Sequence, residues 1–565
     1  MEIRQLISGL ILLSMSGLVA AQEADVGSEP QHKHYRESPE ARKPAPSGAL
    51  APRLQDLGKH TFPVSCASKK AQPFINQGVN LAYAFNHAEA GRSFREAARL
   101  APNCAMTYWG QALVLGPNIN APMDPDTEPQ AYELAQKAKS LSKGASAREK
   151  ALIEALTKRY SGDSADRKAR DQEYAQAMAE VAQQFPDDLD IATLYAESMM
   201  DLRPWNYWMR DGTPYEGTEE IVALLESVMT RNPKHPGALH LYIHLIEPTK
   251  NPERAEKAAD ALSGLMPGAG HIVHMPAHIY QRVGRYADSA KANVRAIAAD
   301  ESYISQCRAQ GIYPMAYYPH NIHFLWFATT AQGRSAAAIE AANKTGEQIS
   351  DEALEQMPML AGFRVVKYWA LARFGKWDEI LALPKPAKDL FLTGAWHYVR
   401  GLAFIGKGDT GAAEKELAAL NKIAVNPALD YPMFSPNTAA GIIAIGPEVL
   451  AGELAAAKGD YEKAAAHLAR AVRLEDGLVY TEPTEWHYPP RLALGAVLMD
   501  ADRPAEAETV YWQVLDRYPN SGWALFGLAE ALKKQDKTDK AKLIEARFTK
   551  AWRDADVKLT SSRIH

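Results

Sequence analysis

The chain has 565 residues, 47% hydrophobic and 23% charged, the balance of an ordinary soluble globular protein. A formal net charge of -5 and a pI near 6.4 give no bulk basic field, so no nucleic-acid partner is expected. The length fits either several domains or one repeat array that grows by stacking.

The N-terminus has an early Arg4, an apolar stretch from Leu6 to Val19, and small residues at Val19, Ala20 and Ala21. That pattern predicts a signal peptide over residues 1–21 and an exported protein, periplasmic or secreted. The run is short of the roughly 20 residues a membrane span needs, and no comparable run recurs, so the mature chain is expected to carry no span. Residues 22–60 are rich in Pro, Ala and charge without apolar periodicity, which predicts a disordered or extended leader; His32 and His34 lie in it. Of three cysteines, Cys66 and Cys104 are expected to pair in an oxidising compartment, leaving Cys307 over. Their spacing does not suit CxxC metal chemistry.

From residue 61 to 555 the sequence is self-similar. Phe74, Gly78, Leu81, Ala90, Phe94, Ala97 and Pro102 match the tetratricopeptide pattern, and Gly110 continues it in register. Two later units carry Gly452, Gly459, Tyr461, Ala464 and Ala471, and Gly495, Ala507, Tyr511, Val514 and Pro519. The fold expectation is therefore all-α: a solenoid of about nine or ten antiparallel helix pairs wound into a right-handed superhelix with a concave wall.

The central units concentrate histidine. "HLYIHLIE" places His240, His244 and Glu247 on one helical stripe, and "GHIVHMPAHIYQRVGRY" does the same for His271, His274 and His278. "PHNIH" adds His320 and His323 at matching repeat positions. A single histidine on a helix is most often a satisfied or exposed imidazole. Seven on the inner stripe of three consecutive units point to a site. Imidazole suits copper and zinc, and His pairs one turn apart can hold one ion. The set exceeds one tetrahedral site, so either two ions bind or some members orient the others. "HLYIH" lacks the glutamate of HExxH peptidases, leaving Glu247 as carboxylate ligand or base. His244 and His274, mid-helix on adjacent units, are the first choice as direct ligands. A metal-free acid/base or anion-binding role for the same residues stays open.

Elsewhere, His87 sits near a turn, Trp109 and Gly110 read as packing residues, and the loop with Asn118 and Asn120 lies at the wall's edge. "YTEPTEWHYPPR" offers Glu482, Trp486, His487 and Arg491 in a Pro-broken loop able to close the superhelix; His397 reads as structural. The stretches "AFNHAEAGRSFREAARLAPNCAMTYWG", "HLYIHLIEPTKNPERA", "GHIVHMPAHIYQRVGRY" and "YYPHNIHFLW" resemble a family of exported bacterial tetratricopeptide proteins over most of residues 62–530. The resemblance implies a fold and a compartment, not a reaction.

The functional expectation is a His/Glu-lined transition-metal site, copper or zinc, on the concave wall, serving an oxidoreductase or hydrolase that acts on a small-molecule substrate. The alternative is a non-catalytic scaffold that takes a peptide or protein partner in the groove, recognised by Asn, Lys and Arg on its wall.

Overall fold

Phe94 is gripped between two glycines. A Cβ on Gly78 would lie 2.7 Å from its ring and one on Gly110 2.3 Å, so the aromatic of one helix fills the space that two flanking helices leave open. Tyr511 repeats the arrangement between Gly495 and Gly527, at 2.6 and 2.2 Å. These contacts belong to a computed structural model that describes residues 44–563 apart from positions 46, 67, 308–312 and 387. The expected signal peptide and the first part of the leader, with His32 and His34, lie outside the described residues.

The described chain is all-α, with only isolated β-bridges between loop residues. Antiparallel neighbours such as Gln72–Tyr83 with His87–Leu100, Leu390–Gly406 with Thr410–Ala424, and Ile445–Ala457 with Tyr461–Gly477 pack as consecutive helical hairpins, the solenoid that the repeat predicts. Caps mark the boundaries. Asn86 accepts from the Glu89 amide at the start of His87–Leu100, and Ser146 with Glu149 forms a full capping box. One helical run among the described residues, Ala439–Ala457, is long and apolar enough to cross a membrane; 67% of it is buried inside the fold, as a core helix would be.

Residues 49–60 carry no helix and run as irregular chain along the fold. Ala51 and Leu57 are buried, the Leu50 amide donates to Glu96, the Leu54 amide to Gln77, and the Gly268 amide to the Asp56 carbonyl. Scattered apolar residues without periodicity thus act as a strap across the helices. Cys66 and Cys104 form the expected disulfide, with Cα atoms 5.0 Å apart.

The array has two hydrophobic cores, one running from Ala51 to Tyr280 and the other from Ile297 to Leu559. Between them Ala277, Ala292 and Phe324 form a small cluster of their own. The C-terminal units return to this seam. The Trp523 indole donates to the Thr330 carbonyl at 3.2 Å, and Asp556 accepts from the Ser335 and Ala336 amides at 2.6 and 3.0 Å. A Cβ on Gly284, whose φ is +76°, would meet the Pro519 carbonyl at 2.1 Å. The central wall is consequently covered, not an open groove.

Candidate metal centre

The histidines come from four helices at the seam: Pro236–Ile246, Gly270–His274, Pro276–Arg282 and Tyr318–Ala331. Pro276 divides the middle stretch into two helices. Met275 keeps helical angles (φ -51°, ψ -37°), so His271, His274 and His278 still share a stripe. His240, His244, Glu247, His271, His274 and His278 are at most 3% exposed, while His320 and His323 are half-buried.

Six imidazoles sort into two triads. His240, His244 and His271 bring one ring nitrogen each to within 4.8 Å of one another, and so do His274, His278 and His320. In the first triad, His240 Nε2 lies 3.1 Å from both His244 Nε2 and His271 Nε2. In the second, His274 Nε2 and His278 Nε2 are 2.8 Å apart, and the His320 ring centroid is 4.9 Å from that of His274. The triads adjoin, with ring centroids 5.7 Å apart for His244 and His278 and 6.0 Å for His271 and His274.

The opposite ring nitrogens fix the tautomers. His240 Nδ1 donates to the Tyr83 carbonyl at 2.6 Å, and a carbonyl can only accept. His244 Nδ1 donates to Glu247 Oε1 at 2.9 Å and His278 Nδ1 to Glu247 Oε2 at 2.5 Å. His274 Nδ1 donates to Asn293 Oδ1 at 2.7 Å; the Asn293 amide nitrogen is committed to the Ser289 carbonyl, which settles the orientation of that side chain. In these four rings Nδ1–H is held by an acceptor and Nε2 faces the neighbouring imidazole, the outer-shell pattern of metal-binding histidine, whereas His271 Nδ1 is buried without a partner. Glu247 joins the triads by holding one ring of each. Both its oxygens face Nδ1 atoms, which gives it an orienting role, and with His278 and Glu482 it also forms a grouping able to hold a metal, the ligand role expected from sequence.

Charge follows burial. Desolvation, then the neighbouring His244, holds the His240 imidazole well below its ordinary value; burial likewise lowers His244, His271, His274 and His320. His278 is the exception. Burial would lower it, but the Glu247 and Glu482 carboxylates outweigh that and hold it at about 9. Burial would raise Glu247, yet His278 and His244 keep it below the usual carboxylate range. Glu482 reaches in from the Pro-broken loop to 3.1 Å from His278 Nδ1, with a 3% exposed side chain. Burial pushes it up to about 7. Tyr480 from the same loop donates to Glu247 Oε2 at 3.4 Å.

His323 does not join. It stacks on Trp326 at 5.3 Å and meets Phe363 edge-on, and burial lowers it to about 3. One turn after His320, its ring faces the next unit instead of the seam. His487 lies flat on Trp369 at 4.5 Å, Arg491 pairs with Asp476, and His397 pairs with Glu416, so none of the three reaches the triads. A third group, His60, Asp190 and His235, has different chemistry. His235 Nδ1 accepts from the Ala238 amide, so its Nε2 carries the proton and donates to Asp190. That cluster ties the strap to two helices and presents no free imidazole lone pair from His235.

Asn293, the Tyr83 carbonyl, Phe85 and Trp205 were not legible as site residues. Phe85 touches all three rings of the first triad, at 4.4 Å for His240, 5.9 Å for His244 and 5.7 Å for His271. Phe85 lies in "AFNHAEAGRSFREAARLAPNCAMTYWG", one of the stretches that carry the family resemblance, and that is the sequence signal nearest to it.

No family model matches the chain, and no curated protein matches it either. Among solved structures it is similar to the Cut9–Hcn1 hetero-tetramer of the APC/C, at 10% identity and TM-score 0.34 over 86% of this chain and 80% of that one. It is also similar to a human IFIT1 dimer with PPP-AAAA, at 13% identity and TM-score 0.31 over 84% and 88%. Scores this low leave the fold to be defined by the chain's own helix pairs.

Proposed function

We propose that this chain is an exported metalloprotein holding two adjacent transition-metal ions, one on His240, His244 and His271 and the other on His274, His278 and His320. One observation carries the reading. His240 and His244 both have their proton on Nδ1, so two bare Nε2 lone pairs face each other 3.1 Å apart, away from water. Protonating either is opposed by burial, and a cation bound between them removes the repulsion.

An all-imidazole donor set suits copper first and zinc second. With copper the pair of centres supports an oxidoreductase acting on a small molecule; with zinc the same donors would activate water for hydrolysis. The Cys66–Cys104 disulfide supports an oxidising, exported compartment. A scaffold that takes a peptide on this wall is less well supported, because the rings are buried. Metal analysis of protein purified without an affinity tag tests the proposal. About two ions per chain are expected, since each triad supplies three nitrogens and leaves a position open.

A further inference from the structure

Two aromatic residues at the first triad have left-handed backbones. Phe85 has φ +55° and Trp205 φ +62°, a region that bulky side chains rarely occupy and that persists only where surrounding contacts impose it. Both rings pack on His244, Phe85 at 5.9 Å and Trp205 edge-on at 5.0 Å. They differ in exposure. Phe85 is buried against all three imidazoles, whereas Trp205 is 40% exposed in the loop between helices Leu189–Met200 and Thr218–Arg231. The third aromatic on this triad, Tyr317, meets His271 and is half-buried.

The Trp205 loop is anchored. The Asn206 amide bonds the Arg203 carbonyl, and the Trp208 indole donates at 2.7 Å to the carbonyl of Leu245, the residue after His244. Trp205 is thereby held in a fixed relation to the His244 ring, with one edge on the triad and the other in solvent.

We infer that Trp205 forms the entrance to the open coordination position of the first centre and determines which ligands reach it: a small anion of the size of hydroxide or azide. The inference rests on the two-centre reading above. The choice of an anion follows from charge. Three neutral imidazoles leave a bound divalent ion with its full charge among Phe85, Trp205 and Tyr317, and Glu247, behind His244, is the carboxylate bonded to this triad. A small anionic fourth ligand relieves that buried charge. The choice of size follows from packing, because the imidazoles are at most 2% exposed and buried Phe85 packs on all three.

The test uses the full mature chain loaded with Cu(II), azide as probe and benzoate as the larger competing anion. The unaltered protein should bind azide, read from its charge-transfer absorption, and benzoate should not compete. Trp205→Ala should keep its copper, bind azide at least about tenfold faster and admit benzoate; Trp205→Phe should stay near the unaltered protein. Equal azide rates in Trp205→Ala and unaltered protein, or benzoate competition in the unaltered protein, would overturn the inference while leaving the two-centre reading intact. Loss of copper from Trp205→Ala would also overturn it, since the residue would then support the triad itself. Failure of the unaltered protein to bind copper or zinc would remove both.

Discussion

Glu247 holds one ring from each triad: its Oε1 accepts from His244 Nδ1 at 2.9 Å and its Oε2 from His278 Nδ1 at 2.5 Å. A single buried carboxylate thus sets the direction of a proposed ligand ring in both centres. Replacing it by glutamine keeps the volume and removes the charge that makes both rings better donors. Glu247→Gln should weaken metal binding about 10–100-fold at both centres with helicity unchanged, read by competition with a chromophoric chelator. Weakening at one centre alone would show that the bridge does not act on both.

His320 and His323 sit one turn apart on the same helix, yet only the first faces the seam. His323→Ala should leave metal stoichiometry unchanged and cost stability through lost stacking on Trp326, whereas His320→Ala should lower the stoichiometry by about one ion, having removed one of three donors. Metal analysis of the two variants separates them. Equal metal loss in both would restore His323 to the ligand set.

Glu475 is buried, with Oε1 lacking a partner, and desolvation raises it to about 7. In the unfolded chain it titrates near the ordinary glutamate value of about 4.3. Its protonated form is therefore favoured by folding, so its contribution is full below about 4.3 and is lost as the pH rises through about 7. Glu475→Gln removes that dependence. The variant should gain stability relative to the unaltered protein between pH 5 and pH 8 in urea melts, and an unchanged difference would place the carboxyl in a more polar setting.

Gly110→Ala tests the repeat packing. The new Cβ would stand 2.3 Å from the Phe94 ring. Overpacking of this kind costs roughly 1–3 kcal/mol, so the melting temperature should fall while metal content holds. A neutral result would mean that Phe94 has room to shift.

The repeat and the histidine stripe were legible because both are local. Gly78 and Gly110 lie about one repeat apart with Phe94 midway between them, and His240, His244, His271, His274 and His278 keep helical spacing within single units. What joins them is not local. Asn293 reaches His274 from helix Tyr286–Cys307, Glu482 reaches His278 from a loop some two hundred positions later in the chain, and Tyr83 contributes only its carbonyl. Repeat register places a residue on the inner face; it does not say whether that face is open. The return of the C-terminal units to Thr330, Ser335 and Gly284 turned the expected groove into a buried seam. Glu247 was placed correctly beside the histidines, but its role depends on which ring nitrogen it meets, which spacing cannot specify.

The most direct measurement is the metal content of untagged protein beside that of the His244→Ala/His274→Ala double variant. It removes one imidazole from each triad and leaves the glycine and aromatic packing positions untouched. The account predicts about two copper or zinc ions per chain in the unaltered protein and no stoichiometric metal in the variant, with equal helical content, because two nitrogens no longer complete either site. Equal metal content in the two proteins, or none in the unaltered one, would contradict it.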